Sequence, residues 1–439
     1  MQRSTVVAVE GYRQDEATVT LECVTDNETD AVGWKYRDEA DTDAGTRNTV
    51  LITLRFYNPT TFRFEFTANP DAGATDTLNE FNETSVTEPV DLTVEEDDGV
   101  LQIDTDALCV TVGLDIWSFK VTTPDGRTVY KEQRDDIDVH GDSRVDPLGY
   151  ATEERNNGPD RVTKTGTSFA VHPDEHIYGF GEKFTELDKR GQHIESWHVE
   201  ALGTETERSY KNVPFYLSTR GYGMLVDTTN RVEYDVGNTS TASGTVEVSD
   251  DTFAYVFFYG PSFKEIITEY TGLTGRATRP PKWSFGVWMS RLGYESREHL
   301  ESITSRLREE EIPCDVVHLD PFWMREFHSC DLEWDTDQFP DPESMADGLH
   351  EDGFHLSLWE HPYVPTGTEA FETARENGYF VTDATGKPYV MDNLCQGDYA
   401  GAIVDFSNPE AADWWQEKNR RLVEMGVDVF KTDYGEGIP

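Results

Sequence analysis

Gly426-Val427-Asp428-Val429-Phe430-Lys431-Thr432-Asp433-Tyr434-Gly435-Glu436-Gly437-Ile438-Pro439 is the stretch on which the reading of the fold turns. An apolar run that ends in Lys-Thr-Asp and then a Gly-rich turn reads as a buried parallel strand delivering charge at its C-terminal edge. Alternate residues of a strand share a face, so Val429, Lys431 and Asp433 point one way and Phe430 and Thr432 the other. If the first face lines a barrel, Asp433 stands at its mouth with an ammonium beside it, which favours the ionised carboxylate. An isolated Lys-x-Asp is more often an ordinary strand-end ion pair. The choice therefore rests on what stands upstream.

Upstream of this strand and after Pro280-Pro281, strands and helices alternate. Trp283-Ser284-Phe285-Gly286-Val287-Trp288-Met289 reads as a strand and Ser296 to Glu311 as a helix with Ser296 as its N-cap. Cys314-Asp315-Val316-Val317-His318-Leu319-Asp320 follows as a strand, then a helix near Pro342 to Glu351, a strand Phe354 to Glu360, and a helix near Thr368 to Asn377. Asn408-Pro409-Glu410 opens a long helix to Met425 that feeds the terminal strand. The pattern predicts a βαβ series of four strands, the first half of a (β/α)8 barrel, over residues 280–439.

From the start to about Gly260 the runs are short and alternating, as in Thr49 to Phe56, Thr61 to Phe66, Val100 to Ile103 and Ala107 to Val112. Pro124-Asp125-Gly126-Arg127 and Arg220-Gly221-Tyr222-Gly223 signal hairpins. Residues 1–260 are thus expected to form an antiparallel β-sandwich, with the acidic segment Asp135 to Asp160 as a loop or insertion. Residues 261–279 carry helical spacing at Ser262 to Tyr270, with Gly272 and Gly275 as the stop, and form the expected linker helix.

Three of the four barrel strands end in candidate chemistry at one edge: Asp320 with Phe322 and Trp323, Trp359 with Glu360 and His361, and Lys431 with Asp433. The C-terminal edge of an α/β barrel is where active sites are built. Aromatic faces stack on the apolar faces of sugar rings while carboxylates grip hydroxyls, so the set reads as a sugar platform.

The run Lys431 to Pro439 resembles the nucleophile signature of family 31 glycoside hydrolases, particularly the α-xylosidase branch. Tyr178-Gly179-Phe180-Gly181-Glu182-Lys183-Phe184, Tyr210-Lys211-Asn212-Val213-Pro214-Phe215-Tyr216, Pro280-Pro281-Lys282-Trp283-Ser284-Phe285-Gly286 and His318-Leu319-Asp320-Pro321-Phe322-Trp323-Met324 resemble the same family in the same order. The resemblance spans about residue 165 to the end. It implies a retaining α-glycosidase in which Asp433 attacks the anomeric carbon and forms a covalent glycosyl-enzyme. It also implies that Lys431 and Asp320 bind sugar hydroxyls and that Trp359 and Phe322 wall the −1 subsite. Glu200, in Trp197-His198-Val199-Glu200, matches a family position on a loop of the N-terminal domain that reaches the site. Glu436 lies on the loop behind the nucleophile, where a supporting catalytic role and a plain loop carboxylate are equally open. The α-glucosidases of the family usually carry a second Asp where this chain has Phe322. A bulky apolar ring there removes a hydroxyl acceptor and fills the space of a hydroxymethyl arm, which suits an α-xyloside over an α-glucoside. The alternatives are an α-glucosidase of the same family, a non-catalytic carbohydrate-binding module, or a barrel-completing subunit.

Composition bounds the rest. The chain has 439 residues, 85 acidic against 37 basic, and a formal net charge of −48, with acidic residues spread from Glu10 through Asp15 to Glu436. A solvated acidic shell over an ordinary core fits a salt-adapted, haloarchaeal-type protein and argues against nucleic acid and anionic membranes as partners. Five cysteines (Cys23, Cys109, Cys314, Cys330, Cys395) without close pairing suit a reducing, cytoplasmic setting. No signal-type segment follows Met1 and no run is long enough to span a bilayer. The eleven histidines show no metal-ligand spacing, so neither a metal nor a cofactor is expected. The family's general acid/base follows the nucleophile strand and is not found in this sequence. The expectation is a truncated or split reading frame, catalytically poor and aggregation-prone by itself, partnered by a C-terminal barrel half or by further copies.

Overall fold

Alternation in the first 260 residues produces antiparallel sheet. The computed structural model describes residues 2–27, 48–69, 90–133, 147–153, 161–201, 203–325, 330–392, 394 and 399–438. These fall into two compact units, Met1–Ala277 and Thr278–Pro439.

In the first unit the described strands form a thirteen-stranded antiparallel sheet and a five-stranded meander running from Thr93–Asp97 to Thr128–Lys131. Along Asn48–Asn58 every second residue, Val50, Ile52, Leu54 and Phe56, is buried, as a sheet with one face in the core requires. The meander packs on the long sheet through Phe119, whose ring lies 5.3 Å from Phe64 and 6.4 Å from Phe62. Each such fully buried ring stabilises the sandwich by about 1.5–3 kcal/mol. Near its two ends the long sheet folds onto itself, with Phe180 of Ile177–Glu182 edge-on to Tyr234 of Val232–Ser240 at 4.8 Å. The Tyr-Gly-Phe-Gly run makes this possible. A register shift between Gly179 and Gly181 swings Phe180 inward, and a Cβ at Gly181 would stand against the Lys211 carbonyl.

Two expectations need correction here. Within 135–160 the described residues include a strand, Gly149–Glu153, paired to Gln2–Asp15 and Arg161–Ala170. Residues 135–146 and 154–160 of that segment lie outside the described residues, as does Cys395. The helix Phe263–Thr274 runs through Gly272 and stops only at Gly275, whose φ of +99° leaves the helical region. It packs on the sandwich, with Tyr270 stacked on Phe215 at 4.1 Å and Ile266 buried beside Val256 and Phe258.

In the second unit four parallel strands lie side by side in chain order: Trp288–Arg291, Val316–Leu319, His355–Glu360 and Val429–Thr432. The sandwich and this partial barrel are the architecture expected. The intervening helices start at side-chain caps: Ser296 accepts from the His299 amide, Thr368 from Phe371 and Asn408 from Glu410. The first barrel strand differs from its expected bounds. Lys282–Phe285 is a single 3-10 turn, and the strand starts only at Trp288. Asp315 explains the shift: its carboxylate accepts the Val287 amide at 3.1 Å and fills the space beside Gly286. Trp283 instead stacks on His355 at 4.0 Å, while Phe285 is 77% exposed. The sequence pattern also gives no strand between the third and fourth barrel strands. The structure has a small antiparallel sheet there, made of Tyr363–Pro365, Val390–Met391 and Gly401–Ile403.

Candidate active site

Register brings the strand ends into rows. Leu319, Leu358 and Phe430 pair across the second, third and fourth barrel strands, and Trp359 pairs with Lys431. Val317, Leu319, Leu356 and Leu358 bury against helix residues such as Leu300, Met345 and Trp415. The opposite face therefore carries His318 and Asp320, Ser357 and Trp359, and Lys431 and Asp433. Hydrogen bonding agrees: His318 Nδ1 lies 2.8 Å from the Ser357 hydroxyl.

At the top of this face the Lys431 ammonium lies 3.3 Å from Asp433 Oδ2 and 3.7 Å from Asp320 Oδ2. The Trp359 indole N–H donates to Asp433 Oδ2 at 2.8 Å, and the Tyr434 amide donates to Oδ1 at 3.1 Å. Partial burial raises the Asp433 carboxyl. The Trp359 bond, the Lys431 charge and hydrogen bond and the Tyr434 amide outweigh it and hold Asp433 below the usual carboxylate range. Its side chain stays 38% exposed, whereas Asp320 is 19% exposed. The result is an ionised, reachable carboxylate fixed by one indole and one ammonium. A second carboxylate shares the same ammonium.

Trp359, expected to wall a sugar, is only 1% exposed. His361 and Tyr434 flank its ring at 4.8 and 6.4 Å, and what it presents to the site is the N–H. Its carbonyl accepts the Trp323 indole N–H at 2.9 Å, which ties the second strand end to the third. Phe322 is half-buried in the turn Pro321–Trp323, on the same rim.

Glu360 looks the other way. Asp433 donates its amide to the Glu360 carbonyl at 2.8 Å, but the Glu360 side chain is buried on the helix side near Asn419. Burial pushes that carboxyl up to about 6. Glu436 sits on a turn where Tyr434 has φ +59° and Gly435 +109°. The Tyr363 hydroxyl accepts the amides of Gly435 and Gly437, at 3.1 and 2.8 Å, and so grips the backbone on both sides of Glu436. Sequence reasoning places Trp323 and His361 at the strand ends without their parts in holding Trp359, and misses Tyr363 altogether. The only sequence signal for them is their nearness to strand ends.

Glu200 belongs to the first unit, where it is exposed. The motifs quoted above hold its loop. Lys183 donates to the Glu195 carbonyl at 2.7 Å and pairs with Glu207 at 3.0 Å. The Asn212 side-chain amide donates to the carbonyls of Trp197 and Ser209, each at 2.7 Å. Among the described residues no group of three His, Cys, Asp or Glu side chains is placed to hold a metal, and no helix is long and apolar enough to cross a membrane.

The description "Glycosyl hydrolases family 31 TIM-barrel domain" matches residues 277–439, and "Glycosyl hydrolase 31 N-terminal galactose mutarotase-like domain" matches residues 51–235. The α-xylosidase XylQ of Lactiplantibacillus pentosus is 40% identical over 268 residues, which cover 61% of this chain and 35% of that protein. An α-xylosidase of Emericella nidulans is 36% identical over 268 residues, 60% of this chain and 34% of that protein. The chain thus spans about a third of the length of these curated relatives. Among solved structures, a dextranase of Flavobacterium johnsoniae in complex with glucose shares the fold with a TM-score of 0.79 at 23% identity, over 98% of this chain and 48% of that one.

Proposed function

This chain belongs to glycoside hydrolase family 31, and on that premise we propose that it carries the nucleophile of a retaining α-glycosidase releasing α-D-xylose from xylo-oligosaccharides. The observation that carries the reading is the Asp433 carboxylate, kept ionised by the Trp359 N–H and the Lys431 ammonium at the C-terminal ends of parallel strands. In the first step an Asp433 oxygen bonds to the anomeric carbon as the glycosidic C–O bond breaks. Positive charge on the sugar ring in the transition state is met by the carboxylate. Water then releases the sugar and restores Asp433.

Asp320 and Lys431, 3.7 Å apart, are a donor and acceptor pair suited to neighbouring sugar hydroxyls. Glu436, gripped through its backbone by Tyr363, supports the nucleophile loop. Protonating the leaving oxygen takes a second carboxyl about 5 Å from the first. Glu360 faces the helices and so does not take this part. Phe322 favours a pentose over a hexose at −1, and the α-xylosidase relatives support that choice. The charge of −48 supports a working medium rich in salt.

Treatment with a xylose-configured covalent inhibitor tests the proposal. The expected result is a single adduct on the peptide containing Asp433, absent from Asp433→Asn. Reversible binding without an adduct would favour a carbohydrate-binding module, and faster labelling by the glucose-configured analogue would favour an α-glucosidase.

A further inference from the structure

The wall residue Phe322 has a neighbour that the reaction scheme leaves unused. Gly293, on the loop after the first barrel strand, has a φ outside the left-handed region, so its backbone suits any residue. Space is what excludes a side chain. A Cβ at 293 would stand 2.7 Å from Phe322 Cδ2, 3.3 Å from Cγ and 3.4 Å from Cε2.

The backbones on both sides of this contact are held. Arg291 is in register with Leu319, and Tyr294 is buried with its ring edge-on to His299 at 6.1 Å. The Glu295 amide donates to His299 Nδ1 at 3.2 Å. Across the contact, the turn Pro321–Trp323 is fixed by the buried Trp323 and its bond to the Trp359 carbonyl. With both backbones pinned, the phenyl ring of Phe322 is the part that must give.

We infer that Gly293 is a specificity-determining position that acts through Phe322: its missing side chain lets the ring lie where a hexose would place its hydroxymethyl arm. This rests on the reading of Phe322 given under the proposed function. Residue 293 is a positioning residue, since the ring and not the glycine meets the sugar. A larger residue there displaces the ring and changes the fit of the pentose as well as the margin against the hexose.

The test is a double-mutant cycle in the active enzyme, with aryl α-xyloside and aryl α-glucoside as substrates. Gly293→Ala is expected to lower kcat/KM for the xyloside about tenfold, chiefly through KM, and to change the xyloside-to-glucoside ratio. In the Phe322→Ala background the same substitution should move neither quantity by more than about twofold, because the ring it strikes is gone. Equal effects in both backgrounds, or a ratio that Gly293→Ala leaves unchanged in the parent, overturn the inference. A merely structural role would lower thermal stability in both backgrounds and leave the ratio alone. A parent enzyme without xyloside preference, with a ratio that Phe322→Ala does not move, refutes the reading of Phe322 itself, and that result is distinct from a missing coupling. Should Gly293→Ala alone prevent folding, Phe322→Leu beside it is the second arm: rescue of folding and of xyloside preference supports the inference, and failure to rescue overturns it.

Discussion

Asp428 and Asp433 bracket the same barrel strand, and both carboxyls are held below the usual range. At the lower end, burial raises Asp428. The Leu356 amide at 2.8 Å, His350 Nε2 at 2.9 Å and His355 at 3.1 Å outweigh it. All of these partners are framework: the third strand's start and the end of the helix Pro342–Glu351. Trp283 closes over His355. At the upper end, Asp433 takes an indole N–H and an ammonium, the ammonium is shared with Asp320, and its side chain is 38% exposed against 24% for Asp428. A depressed pKa is common to a structural tie and to a candidate nucleophile. What separates them is the convergence of three strand ends on one reachable carboxylate.

The sharpest way to break this contrast is to neutralise each aspartate in turn in the catalytically competent enzyme. Asp433→Asn is expected to lower turnover roughly 10⁴-fold while leaving the melting temperature nearly unchanged, since it deletes the attacking group. Asp428→Asn should do the reverse, with turnover within a few-fold of the parent. Steady-state kinetics and thermal melts on the two variants decide it, and a collapse of turnover in Asp428→Asn would erase the distinction. Next in size is Lys431→Met. Removing the ammonium relieves a stabiliser of the ionised carboxylate, so the acid limb of kcat/KM should move to higher pH and the plateau fall by about 10- to 100-fold. An acid limb that stays in place would mean that Trp359 and the Tyr434 amide tune Asp433 without the ammonium.

A smaller effect is expected at the lower end. The Asp428 ties are stabilising above the ordinary carboxylate range and are lost as pH falls through its lowered pKa. Asp428→Asn should cost about 1–3 kcal/mol at neutral pH from unmet hydrogen bonds, and less in acid, where the parent also loses the charge. Denaturant melts across the acid range measure this. A cost that does not shrink as pH drops contradicts the assignment.

The sequence shows the upper end far better than the lower. Asp320, Trp359, Lys431 and Asp433 stand out because a strand ends at each of them, and period-two alternation places them on one face. That alternation misleads at Trp283 to Met289, where Asp315, nearly thirty residues away, captures the Val287 amide and moves the strand start. No local pattern announces such a tertiary bond. The Asp428 cluster is invisible for the same reason: His350, His355 and Asp428 come from three elements and carry no spacing rule. Trp359 is recognisable but its exposed surface is not, because a motif names a residue without saying that His361 and Tyr434 cover its ring. The sheet of Tyr363–Pro365, Val390–Met391 and Gly401–Ile403 escapes because strands of two or three residues hold too little alternation to read.

Glu360 sharpens the comparison from a third direction, because it shares the rim with Asp433 yet points into the helices. Its carboxyl is raised to about 6 by burial, with Oε2 lacking a hydrogen-bond partner among the described residues. For a raised carboxyl the sign is opposite to that of the two aspartates. The native state holds the proton more tightly than the unfolded chain, so the protonated form is no burden below about pH 4.5, and stability is lost as pH rises through about 6. Glu360→Gln keeps the shape and removes the charge, and should therefore stabilise the protein by about 1–2 kcal/mol at pH 7.5 and by almost nothing at pH 4.5. Turnover should change little, because the side chain faces away from Asp433. If Glu360→Gln instead loses turnover as Asp433→Asn does, this carboxyl belongs to the chemistry, and orientation on the strand no longer separates site from scaffold.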